Sequence, residues 1–291
     1  MDYSLSDEPW TDRYIQIDGV ETHYIEAGTG EPVVLVHGGG MGSCGAVNYG
    51  DVMEPMSAHY RVIAPDLAGF GETPGRCPED YPAEAQGDFL IEFLKTLNEP
   101  VHLGGNSHGG WLVQYVAHEA PELVRRMIII NSLNGCMPIP PAPEGYQYIY
   151  HEEGHAHKEP TLEDVRENLM EFYSDTGLVT DERVELFYEM SARNHKFAEK
   201  RSAAVTSTIG DANENLSYRG DHISEHADEL SLPVLLTWSR ENRGATPEDA
   251  MPLFNRIDNV EMHIFSGAKH HVQAEYPHAW TNVVQRFLER D

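Results

Sequence analysis

The sequence predicts an open, mostly parallel α/β sheet with helices on both faces, and three observations carry this. Short β-rich runs alternate with helical patterns along most of the chain. The later runs (Val33-Val34-Leu35-Val36, Met127-Ile128-Ile129-Ile130 and Val234-Leu235-Leu236-Thr237-Trp238) are continuously apolar, as parallel strands buried on both faces are. Hydrophobic residues make up 40% of 291 residues, enough for a sizeable core in one large domain or two small ones.

In chain order, the predicted strands are Tyr14–Ile17, Thr22–Glu26, Val33–His37, Tyr60–Ala64, Val101–Gly104, Met127–Asn131, Pro233–Trp238 and Glu261–Phe265. The first two flank Asp18-Gly19, a hairpin signal. Helical patterns cover Ala83–Leu97, His108–Ala120, Pro247–Arg256 and Pro277–Glu289. From Cys136 to Glu229 the rhythm breaks: no strand is evident, and Pro138, Pro140, Pro141 and Pro143 open the segment. Thr161 and Thr180 then read as helix N-caps followed by acids. The expected organisation is a sheet core of residues 1–135 and 230–291 with a helical cap at 136–229.

Charge narrows the partners. With 20 Lys+Arg against 48 Asp+Glu, the formal charge is −28. Such an anion repels phosphate backbones and anionic membranes, so the expected partner is a small molecule rather than nucleic acid or a membrane. Cys44, Cys77 and Cys136 form no CxxC pair, and the first residues lack a signal-peptide pattern. A cytoplasmic location is the expectation, and a homodimer stays open beside a monomer.

The chemistry concentrates in three places. Gly105-Asn106-Ser107-His108-Gly109 stands between a strand and a helix, the setting in which a G-x-S-x-G turn pushes a serine hydroxyl outward as nucleophile. Upstream, the strand Val33–Val36 runs into His37-Gly38-Gly39-Gly40, so the backbone N–H groups of Gly39 and His108 are the expected oxyanion donors. His37 is expected to anchor its loop by hydrogen bonds. After the last strand, His270 is the expected general base, with His271 its competitor.

These residues resemble the α/β-hydrolase superfamily and, within it, the meta-cleavage-product hydrolases, which split carbon–carbon bonds in ring-fission products. The similarity extends over His37–Gly42 with Asn48, Tyr60–Gly71, Gly105–Ser107, the Asn168–Arg193 region, Ser239–Arg243 and Gly267–Pro277. It implies an α/β-hydrolase fold with an eight-stranded sheet and a helical cap, no cofactor and no metal. The implied catalytic set is Ser107, His270 and Asn242. Asn48, Asn106, Gly40, Phe187 and His271 are the implied substrate-binding residues.

Two departures stand out. The position of the family's triad acid holds Asn242, and the alternative position after the sixth strand holds Asn131. Asparagine can orient a histidine but brings no charge to stabilise imidazolium. Three readings stay open: Glu241 turns inward, a Ser-His-Asn set works on a reactive substrate, or the chain is an inactivated form. Where the family carries a carboxylate-binding arginine, this chain has Phe187, and Arg183 and Arg193 are expected to be surface charges.

Weaker signals complete the reading. His151, His155 and His157 sit among charged residues and are expected to be solvated rather than metal ligands. Tyr146, Tyr148 and Tyr150 either line an aromatic pocket or pack the cap. Trp111 is expected to be packing. Ser107–Trp111 also resembles cofactor-free dioxygenases of N-heteroaromatics on the same fold, which is the alternative activity. A non-catalytic ligand-binding protein is the third class.

Overall fold

Pairing begins at the hairpin. The computed structural model describes residues 8–40, 42–75, 83–132, 160–193, 226–242 and 244–290. Strands β1 (Thr11–Ile17) and β2 (Val20–Ala27) pair antiparallel about Asp18 and Gly19. Both turn residues have positive φ (47° and 79°), as a type I′ turn demands.

Six further strands complete the sheet: β3 (Pro32–Val36), β4 (Arg61–Pro65), β5 (Val101–Asn106), β6 (Val124–Ile130), β7 (Val234–Ser239) and β8 (Val260–Phe265). The eight strands run in the order β1-β2-β4-β3-β5-β6-β7-β8. The pairings from β4 through β8 are parallel, and β2 joins β4 antiparallel. Each strand begins or ends within a few residues of its apolar run.

Two apolar clusters cover the two faces, because successive strand side chains point to opposite sides. Val34, Val36, Met127 and Ile129 face one cluster, with helices α2 (Ala83–Thr96) and α3 (His108–Glu119) supplying its other side. Val33, Leu35, Ile128 and Ile130 face the other, against helix α1 (Gly45–Ser57).

The sequence pattern missed α1. Gly45, Gly50 and Pro55 weigh against a helix on propensity, yet Tyr49, Val52, Met53 and Met56 are fully buried on its inner face. Tertiary burial outweighs propensity here. Its N-cap is also unusual: the Cys44 thiol accepts from Val47 N at 3.4 Å.

Between β6 and β7 the described residues are helical or irregular and contain no strand. Helix α4 (Leu162–Phe172) starts with a capping box between Thr161 and Asp164. Residues 181–193 form helix α5, and its Arg183 N–H is capped by the Thr180 hydroxyl at 3.2 Å. A third apolar cluster joins these helices to α1: Val165, Leu169, Tyr173, Val184, Phe187 and Met190 pack with Cys44 and Val47. Past β7 come α6 (Pro247–Arg256), the single turn α7 (Val272–Glu275) and α8 (Pro277–Leu288). The single turn α7 was also not foreseen. No described helix is long and apolar enough to cross a membrane.

Candidate active site

Ser107 links β5 to α3 with φ 53° and ψ −119°, in the left-handed half of the map that L-residues avoid. The surrounding structure holds it there. Its N–H donates to Ile130 O at 3.0 Å, and its carbonyl accepts from Gly110 N at 2.9 Å and the Ser132 hydroxyl at 2.6 Å. The flanking glycines are obligatory. A Cβ on Gly105 stands 2.2 Å from Gly109 O, and one on Gly109 stands 2.2 Å from Val36 O. Only bare backbone lets β5, α3 and the end of β3 meet around the serine.

Gly39 is buried and Gly40 half-buried in the loop after β3. His37 anchors that loop, as expected. Leu67 N donates to its Nε2 at 3.0 Å, so Nδ1 carries the proton that meets Gly38 O at 2.6 Å. His108 opens α3, and a first-turn helical N–H has no acceptor within its own helix. Its ring meets Gln86 Oε1 at 2.9 Å. That contact ties the elbow to α2.

The His270 loop docks against the elbow through asparagines. Asn106, one residue before Ser107, donates to His270 O at 3.4 Å. Asn131, at φ 45° just past β6, donates to His270 O (3.0 Å), Lys269 O (3.2 Å) and Ser239 Oγ (3.0 Å), and accepts from Ser239 N (2.8 Å). The position after the sixth strand is thus occupied by a fully used amide, not by a charge. Asn131 fastens β6, β7 and the histidine loop together.

Burial pushes the His270 pKa down to about 4, so the ring is neutral near pH 7. No described residue hydrogen-bonds this ring. Asn242 is buried, and its amide nitrogen has no hydrogen-bond partner among the described residues. Glu241 does not turn inward: its exposed carboxylate accepts from Gly267 N at 2.8 Å, bracing the turn after β8. The inward-turned Glu241 is therefore not the arrangement adopted.

Aromatic rings surround the histidines. Phe172 lies 5.2 Å from His270 and 5.9 Å from His271, and Tyr173 lies 5.4 Å from His271. Burial, then His270 and Arg183, pushes His271 well below its ordinary pKa. Phe187 is committed to the apolar cluster between α5 and α1.

The arginines correct one expectation. Arg183 is not a surface charge: it forms a bidentate pair with Asp51 of α1 (2.9 and 3.1 Å), meets Tyr173 Oη at 3.0 Å and lies over that ring. Arg193 is more exposed and pairs with Glu72 at 2.7 Å. Each guanidinium is paired with a carboxylate, Arg183 with half-buried Asp51 and Arg193 with exposed Glu72. Trp111 is buried and stacked on Tyr115, as expected of packing. His151, His155, His157, Tyr146, Tyr148 and Tyr150 lie outside the described residues.

Several buried polar atoms have no hydrogen-bond partner among the described residues. They include both amide atoms of Asn48, Asn106 Oδ1, Gln273 Oε1 and Asn242 Nδ2. Gln273 was not foreseen; it is fully buried and donates to Asn48 O at 3.2 Å. A lone amide in an apolar stretch, three residues past His270, was the available signal. Buried orphan atoms cost about 1–3 kcal/mol each.

A serine on a strained strand-to-helix turn, a glycine loop after β3 and a histidine after β8, on this sheet order, define an α/β-hydrolase. Residues 31–277 match the α/β hydrolase fold family, and the chain belongs to it. Within that family it resembles meta-cleavage product hydrolases. It is 30% identical over 280 residues to 2-hydroxy-6-oxo-2,4-heptadienoate hydrolase of Pseudomonas putida, covering 95% of each chain. Identity is 29% over 283 residues to 2-hydroxymuconate semialdehyde hydrolase of a Pseudomonas species, covering 96% of this chain and 94% of that one. A solved structure of a meta-cleavage product hydrolase from Pseudomonas fluorescens superimposes with TM-score 0.75 at 29% identity, covering 95% and 97%.

Proposed function

We propose that the chain hydrolyses a small aromatic-derived substrate, either the carbon–carbon bond of a vinylogous diketone or an ester or lactone. The observation that carries this is Ser107 in its strained elbow, with the neutral His270 loop hydrogen-bonded to the residue before it. In this reading Ser107 attacks or polarises the carbonyl, and His270 accepts the proton. The N–H groups of Gly39 and His108 hold the oxyanion. Water adds across the cleaved bond: the acyl fragment leaves as a carboxylic acid, and the other fragment takes the proton back from His270.

The unpartnered amide of Asn48 and the unpartnered Gln273 and Asn106 oxygens suit a substrate with a polar head, and Phe172 and Tyr173 suit a flat apolar body. With Arg183 and Arg193 already paired, a substrate carboxylate is met by the Asn48 amide N–H rather than by an arginine from α5, and the Asn106 and Gln273 oxygens accept from a substrate donor. The α4–α5 segment acts as the lid over this site. The test is turnover of activated esters and vinylogous diketones by the wild type, Ser107→Ala and His270→Ala. Both substitutions should lower kcat by at least about 10³. Failure of every substrate to give Ser107-dependent turnover overturns the proposal.

A further inference from the structure

We infer that Glu275 is a positioning residue: its carboxylate clamps the loop carrying His270 to the end of α4, and so sets where the base stands. The inference rests on His270 being the base, as proposed above. One carboxylate oxygen accepts from Lys269 N at 2.7 Å, the residue immediately before His270. The other accepts from Ser174 N at 2.7 Å and Asp175 N at 3.2 Å, in the turn that follows α4. One side chain therefore spans two chain segments about a hundred residues apart in sequence.

Two more bonds run alongside. His270 N donates to Phe172 O at 3.1 Å, and Lys269 Nζ donates to Met170 O at 3.1 Å. The Met170 and Phe172 carbonyls of α4 are thereby tied to Lys269 and His270, and the Ser174 and Asp175 N–H groups to Glu275. Phe172 presents its ring to His270 from the same anchor. Residues 170–175 are thus bonded to the histidine loop at several points. Burial raises the Glu275 pKa, against the three N–H groups that favour its anion. Its charge does not act on His270, whose lowered pKa comes from burial alone. The contribution of Glu275 is geometric.

The clamp is tested by phosphonylating Ser107 with a fluorophosphonate: the Oγ–P bond forms, fluoride leaves and the serine proton passes to His270. Rates against pH are measured at 10 °C for the wild type, Glu275→Gln, Glu275→Asp, Ser174→Pro and His270→Ala, with folding checked by circular dichroism. Glutamine turns a donor toward one N–H; aspartate keeps the charge but is one methylene short; proline at 174 deletes a donor and spares the carboxylate. Small displacements of a catalytic group cost up to about 10²-fold. The expected losses are about thirtyfold for Glu275→Gln and about tenfold for the other two clamp variants, with the acid limb of the pH profile unmoved. Rates within twofold of wild type in the folded variants overturn the clamp, whatever their melting temperatures. Unfolding of both Glu275 variants beside a wild-type rate in folded Ser174→Pro also overturns it. A wild type inert to the probe, or His270→Ala reacting at the wild-type rate, instead overturns the reading of His270 as base.

Discussion

Asn242→Asp is the perturbation that asks most of this site. The amide nitrogen of Asn242 is buried and bonded to no described residue, so its replacement by oxygen breaks no bond. It places a carboxylate at the position where the family resemblance implies a triad acid. Two unit charges about 4 Å apart at an effective dielectric near 20 interact by about 4 kcal/mol. That corresponds to a shift of about 3 pH units for a histidine beside the new carboxylate. His270, held at about 4 by burial, would rise to about 7. The base would become stronger and its imidazolium stabilised, with a gain in kcat of roughly 10² to 10⁴. The assay is kcat/KM from pH 4 to 9 on a p-nitrophenyl ester and a vinylogous diketone. In the wild type, neutral His270 is the active form, so activity should fall on the acid side only near pH 4; in Asn242→Asp that limb should move to about 7. A gain below threefold with the limb still near 4 would refute the reasoning.

Four further predictions follow from the same geometry. Asn131→Asp should fail where Asn242→Asp succeeds, because it sets carboxylate oxygens against Lys269 O and His270 O and loses three donor contacts; denaturant unfolding should show a loss of about 3 kcal/mol or more. Gly109→Ala drives a Cβ into Val36 O at 2.2 Å, and thermal unfolding should show at least about 3 kcal/mol of destabilisation with loss of Ser107 acylation. Arg183→Met strips Asp51 and Tyr173 of their partner in a half-buried setting, so stability should fall by about 1–3 kcal/mol.

The fourth concerns His23, which is buried between Asp66 Oδ2 at 2.8 Å and Asp12 Oδ1 at 3.0 Å. Burial opposes its charge, but the Asp66 and Asp12 contacts overcome this and raise it to about 9. Its folded pKa exceeds the unfolded value, so its stabilisation is complete below pH about 6.5 and is lost as pH rises through 9. Unfolding free energy should drop by up to about 3 kcal/mol across that window. His23→Gln should abolish the slope. An unchanged slope would remove His23 as its source.

The fold was legible because its signals are local. Continuous apolar runs marked the parallel strands, Asp18-Gly19 marked the hairpin, and Gly105–Gly109 marked the elbow from five residues. Helix α1 was not legible: its glycines and proline argue against a helix, and only burial against β3 and β4 makes one. The difference is between information carried by neighbours in sequence and information carried by neighbours in space.

The same division runs through the site. By itself the sequence determined the sheet, the serine turn, the glycine loop and the histidine, and it showed asparagine at both positions where a triad acid was expected. Tertiary structure alone decided what the polar groups do there. Asn131 became a fastener of three strand ends, Glu241 a brace for Gly267, Arg183 a tie to Asp51, and Glu275 a clamp between α4 and the histidine loop. Residue type limits a side chain to donor, acceptor or charge. Which partner it meets is fixed by backbone groups brought within about 3 Å from distant parts of the chain, and no local pattern records that distance.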